Sequence, residues 1–225
     1  VKVEKEENPK NKVGRPKKGE IKEPKLPTIL EQQQTMQTTQ EMLALISTKC
    51  AVGIKQNSKG NKEVWIGGKL HISAVDGDIP ITAFYSGANV HDSSVALPLI
   101  NETSKRVNYF YDLQDAGYDS EIIRNFSKKL GHRAIIDINP KNSKELKEKI
   151  ELQTQEQKKF KLLHLPQNLD IHHYNQRSMV ERVNKYLKED FGCNTIYYQG
   201  ATKVASVLAF GILSICIHQS LKLVT

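Results

Sequence analysis

Tyr174-Asn175-Gln176-Arg177-Ser178-Met179-Val180-Glu181-Arg182-Val183-Asn184-Lys185-Tyr186-Leu187-Lys188 sets how the rest of this chain is interpreted. On a helix turning about 100° per residue, Arg177, Glu181 and Lys188 fall at roughly 300°, 340° and 320° from Tyr174. The four polar groups therefore share one narrow face. Val180, Val183, Leu187 and Phe191 occupy the adjoining arc, which is apolar enough to lie on a core. A single carboxylate is thus held among cations at the rim of a buried surface. Gly192 then stops the helix. By periodicity alone this is an amphipathic surface helix with charge pairs one turn apart.

Working outward, the chain has 225 residues and a formal charge of +8, enough for one sizeable core and a preference for polyanions. Its three cysteines, Cys50, Cys193 and Cys216, are odd in number and unpaired in spacing. That pattern argues for a reducing compartment and against a disulfide framework or a zinc site. The amino end is charged rather than apolar, so no secretory leader is expected there. The apolar run 204–217 falls short of the roughly 20 residues that span a bilayer and is expected to be a buried helix.

Residues 1–40 are rich in lysine and proline and are expected to be a basic, largely disordered linker. Within them Gly14-Arg15-Pro16-Lys17-Lys18 resembles an AT-hook core, which would place Arg15 and Lys17 in a minor groove; a solvated basic linker is the alternative. A short helix is expected over 31–45 and a first strand somewhere in 43–54. Strands over 63–75 and 79–85 flank the tight turn Asp76-Gly77-Asp78. A helix over 93–104, a strand over 106–113, a helix over 120–130 ending at Gly131 and a strand over 134–138 follow. Residues 141–170 form a helical insertion, and two helices close the chain. Three antiparallel strands, then strand–helix–strand, then helices predict a mixed sheet flanked by helices.

Two further blocks carry chemistry. Asp115-Ala116-Gly117-Tyr118-Asp119-Ser120 follows the fourth strand, so Asp115 leaves a strand end at a fixed angle, with Asp112 as a weaker rival. Gly67-Gly68-Lys69-Leu70-His71 and Gly87-Ala88-Asn89-Val90-His91-Asp92-Ser93 precede it. Without the helix described first, the Asp115 block reads as a capped polar turn. Together, in this order, these segments resemble the DDE transposases of bacterial insertion sequences, the IS-four-like group with its Tyr-Arg-Glu-Lys signature, over about 40–220. The resemblance implies a ribonuclease-H-like catalytic domain over 41–225, with Asp115 and Glu181 as catalytic acids and ligands of Mg2+ or Mn2+. It implies double-stranded DNA, both transposon ends and target, as the partner. Tyr174, Arg177, Lys188 and Lys69 would contact it, and two copies would join in a synaptic complex. A bacterial, cytoplasmic and nucleoid-associated setting is implied as well.

The sequence departs from the family pattern at one place. The first acid belongs in a Cys-Asp-Val-Gly block, and here Cys50-Ala51-Val52-Gly53 stands instead, with no Asp before Asp76. Ala51 therefore occupies a catalytic position expected to be Asp, and the implied chemistry is two-metal cleavage and strand transfer with an incomplete triad. The competing readings are a DNA-binding derivative without turnover and a general two-metal nuclease.

Overall fold

The computed structural model describes residues 26–56, 60–139, 144–162 and 173–224. Arg15, Lys17 and the AT-hook-like segment lie outside them. Two antiparallel joints dominate the first half. Strand β1 (Ala51–Gln56) pairs with β2 (Lys62–Val75), with Ala51 opposite Gly67, and β2 pairs with β3 (Ile79–Gly87). The turn between β2 and β3 is the expected one. Gly77 and Asp78 both take positive φ, 82° and 59°, the backbone that a two-residue hairpin requires.

Helix α3 (Ala96–Arg106) follows a single 3-10 turn, Asp92–Val95, and lays Ala96, Leu97 and Ile100 into the core. Then β4 (Tyr111–Gln114), α4 (Glu121–Lys129) and β5 (Arg133–Ile136) make a parallel strand–helix–strand unit, with Gln114 opposite Ile136. The fourth strand starts later than predicted: α3 runs on to Arg106, where Lys105 and Arg106 both pair with Glu102, and residues 107–110 are irregular before β4 begins at Tyr111. Helix α5 (Lys144–Leu162) fills part of the expected insertion. The chain closes with α6 (Ser178–Glu189) and α7 (Ala201–Val224).

The architecture is the expected mixed α/β, ribonuclease-H-like one, a small sheet layer flanked by helices. Hydrogen bonding among the described residues divides that layer into β1-β2-β3 and β4-β5. Two cores hold it. One joins Met42, Leu97, Ile100, Ile123, Phe126 and Ile136; the other joins Ile72 to Val183 and Leu187 of α6 and Ile215 of α7.

Three expectations need correction. Residues 29–44 form two short helices, α1 (Ile29–Gln33) and α2 (Thr39–Ala44), each started by a capping box, where one helix was expected. They pack rather than dangle. Gln33 is buried, its side-chain amide donating to the carbonyls of Met42 and Ser94, so the last part of the expected linker belongs to the core. Finally, α7 is 24 residues long, not a short buried run. One side packs on α6 while Phe210, Leu213, Ile217, Leu221 and Val224 are exposed, so the helix is apolar on both faces. By length and composition alone it is long and apolar enough to cross a membrane.

Candidate active-site cleft

A cleft of about 910 Å3 opens between the end of β2 and the end of β4. Residues of α3 and of the segment leading into α6 complete its walls, and Asp115, Tyr118, Arg177 and Glu181 all line it. The two acids expected to act together therefore meet in one cavity although 66 positions separate them.

Local chemistry fixes Asp115. It caps the 3-10 turn Ala116–Tyr118, and its Oδ1 accepts the Gly117 N–H at 2.9 Å. A side chain at Gly117 would begin 3.0 Å from that oxygen, so glycine leaves the carboxylate room. Asp119, read from sequence as part of the turn, is a clamp. It accepts Arg124 Nη2 at 2.9 Å and the Asn139 N–H at 2.8 Å, which ties the exit of β5 to the exit of β4. The rival acid Asp112 also lines the cleft, but its side chain is directed to the other face of the strand, since side chains alternate. It is buried toward Tyr109 and Ser127 of the strand–helix unit, and burial pushes its pKa up.

The signature helix is broken where it was expected to be continuous. Residues 173–175 form a separate helical turn, and Arg177 is the N-cap of α6. Across the break the backbone bonds run from i to i+3. Arg177 N–H donates to the Tyr174 carbonyl at 3.0 Å and Val180 N–H to the Arg177 carbonyl at 3.3 Å. Tighter winding of this kind eclipses residues three apart. The Arg177 guanidinium accordingly lies over the Tyr174 ring, 5.5 Å from its centroid, while Nη1 reaches Glu181 Oε1 at 3.4 Å. Buried Arg177 Nε has no acceptor among the described residues. Lys188 is exposed two turns further along α6 and outside the cleft.

The remaining predicted residues sit elsewhere. Lys69 Nζ donates to the Val90 carbonyl at 2.8 Å and pairs with Asp92 at 3.0 Å, so its charge is already engaged. His71 is buried beside Ser86 Oγ at 2.8 Å, and desolvation lowers its pKa to about 4 against the opposing pull of Asp92. Ala51 opens β1 outside the cleft lining.

Sequence reasoning missed Asp137. It is the first residue beyond β5, as Asp115 is the first beyond β4, and the parallel register sets Gln114 opposite Ile136. The two acids therefore leave neighbouring strand ends side by side, at the carboxyl edge where open parallel sheets place ligands. An acid directly after each of two apolar strands was the signal available.

Asp115 and Glu181 supply hard carboxylate oxygens, the donors that magnesium or manganese takes. The third acid that the resemblance implied would stand at position 51, which is Ala here and lies outside the cleft lining. Among the described residues no three His, Cys, Asp or Glu side chains gather into a group able to hold a metal ion. As the chain stands, its donor set does not fit the ion that the resemblance implied. A family model described as "Transposase DDE domain" matches residues 34–217. No curated protein and no solved structure matches the chain.

Proposed function

The chain belongs to the transposase DDE-domain family, and from that premise we propose that it is the catalytic domain of an insertion-sequence transposase of the IS-four-like group, silenced at its first acid. Membership implies DNA as the substrate and divalent metal ions as the cofactor. The proposed reaction is Mg2+- or Mn2+-dependent strand cleavage and strand transfer at the element's ends, for which Asp115 and Glu181 are two of three required acids. The observation that carries this reading is the shared cleft: Asp115 and Glu181 line one cavity with Arg177 beside them. On this reading the Arg177 guanidinium, paired with Glu181, meets a phosphate at the cleft, and exposed Lys188 extends the basic face along the backbone. The catalytic unit takes in helix α1 and the start of α2 ahead of residue 41 and works as a homodimer on paired ends in the bacterial cytoplasm.

Ala51 decides between this reading and its alternative, a DNA-binding derivative without turnover. The test compares cleavage of the element's terminal DNA, with magnesium or manganese, by the chain as it stands and by Ala51→Asp. Cleavage by Ala51→Asp alone, abolished again by Glu181→Gln, supports the silenced transposase. Equal DNA binding with no cutting by either protein favours the binding derivative. Cutting of unrelated DNA as readily as of the ends points to a general nuclease.

A further inference from the structure

At the amino ends of β4 and β5, away from the acids, lies a second and shallower pocket of about 340 Å3. Phe110, Tyr111, Lys128, Gly131, His132 and Arg133 line it: three rings and two cations, without a carboxylate. Phe110 is 79% exposed, yet its backbone is fixed, because the Arg133 N–H donates to the Phe110 carbonyl at 2.7 Å. The other two rings are held as well. Tyr111 stacks on His173 with centroids 4.4 Å apart, and His132 stacks on Tyr109 at 4.0 Å while its Nδ1 donates to the Tyr109 carbonyl at 2.7 Å. Gly131, at φ 86°, turns the chain between Lys128 and Arg133 and so brings both cations to one pocket. Phe110 and Tyr111 also line the cleft of Asp115 and Glu181, so the two cavities share a wall. Asp115 stands four positions after Tyr111, about 13 Å along the strand.

We propose that this pocket binds an unpaired nucleotide of a DNA strand running out of the cleft, its base stacked on Phe110 and its phosphate met by Lys128 and Arg133. The inference rests on the DNA-processing reading of the cleft and adds a separate contact to it. Charge selects the occupant. An exposed ring bordered by cations, with no acid in the lining to repel phosphate, matches a nucleotide's flat apolar base and anionic backbone. Geometry selects the pairing state. Bases inside a duplex have both faces covered by their neighbours, so a ring standing in solvent stacks only on a base that is unpaired or terminal.

The experiment measures affinity of the full chain, without divalent ions, for a fluorescently labelled blunt duplex and for the same duplex with a short single-stranded extension on either strand. Phe110→Ala should weaken binding of the extended duplex about 10-fold and leave the blunt duplex unchanged. Because Phe110 lies in solvent, this variant should keep the parent's unfolding midpoint, which separates lost stacking from lost structure. Phe110→Trp should retain the affinity, and the added indole should be quenched by the extended duplex alone. Lys128→Gln should lower the salt slope by about 0.7 on the extended duplex and leave it unaltered on the blunt one. Equal affinity of Phe110→Ala and the parent for the extended duplex overturns the site, and so does an equal loss on both DNAs. If the folded parent binds neither DNA, the DNA-processing reading of the cleft falls and the pocket's role falls with it.

Discussion

Asp115 leaves a strand enclosed by its neighbours, whereas Ala51 begins a hairpin whose apolar residues face outward. Around β4 the core residues Leu97, Ile100, Ile123, Phe126 and Ile136 are buried, and the turn beyond Asp115 is pinned by Asp119 to β5. On the hairpin, Val52 stands opposite Ile66 and Ile54 opposite Val64, and all four are between 40% and 65% exposed. Such cross-strand pairs support the ribbon locally, by roughly 0.2–1 kcal/mol each, without joining it to either core. Two positions that the proposed function treats as catalytic thus rest on unequal foundations. Asp115 and Glu181 belong to packed elements; Ala51 belongs to the ribbon.

The sharpest way to test this contrast is to remove packing on each side. Leu97 is fully buried, so Leu97→Ala should cost about 2–5 kcal/mol in urea unfolding. A loss under about 1 kcal/mol would mean that the β4 half is not the stable one. His71 lies beyond the ribbon on β2, on the face opposite Ile72 and the second core, and probes the packing around Ser86 and Asp92. Its folded pKa near 4 lies below the 6.5 of an unperturbed imidazole, so folding favours the neutral ring. Its contribution is complete above pH 6.5 and is lost as pH falls through 4, a swing of about 3 kcal/mol by linkage. Unfolding curves collected across that interval should steepen in this sense, and His71→Gln should flatten them. An unchanged slope in the variant would remove His71 from the account.

Gly211 offers a smaller test, at the contact of α6 with α7. A methyl group there would come within 2.6 Å of Cys193 Sγ and 3.0 Å of Leu187 Cδ2. Alanine gains about 1 kcal/mol of helix propensity, and crowding costs about 1–3 kcal/mol. Gly211→Ala should therefore lose about 1 kcal/mol net in thermal unfolding; a gain would show that α7 can shift outward. The smallest effect belongs to the ribbon itself. Ile54→Thr should stay within about 0.5 kcal/mol of the parent, and a loss above 2 kcal/mol would mean that the exposed pairs are covered in solution.

Much of this was written in local sequence. Asp76-Gly77-Asp78 announced the β2–β3 turn because only a few residue types accept positive φ in succession, and Gly131 and Gly192, at φ 86° and 67°, ended their helices for the same reason. Asp115 was legible because a strand followed by a glycine turn is a short-range pattern. Asp137 was not, since its meaning depends on a register set across 22 positions by β4 and β5. The break before α6 was hidden as well. Tyr174 and Arg177 fit a continuous helix by spacing, and only the i to i+3 bonds show the tighter turn that stacks one on the other. The second apolar face of α7 escaped for a different reason: a helix hydrophobic all round has no period to read.

The preserved cleft around a missing acid also has a genetic meaning. Every alanine codon becomes an aspartate or a glutamate codon through one substitution at its middle base. Asp115, Glu181 and the packing behind them are already in place, so on the proposed reading one base change at codon 51 would return an acid to that position. A selection for DNA rearrangement would be expected to return revertants at that codon at the frequency of a single point mutation.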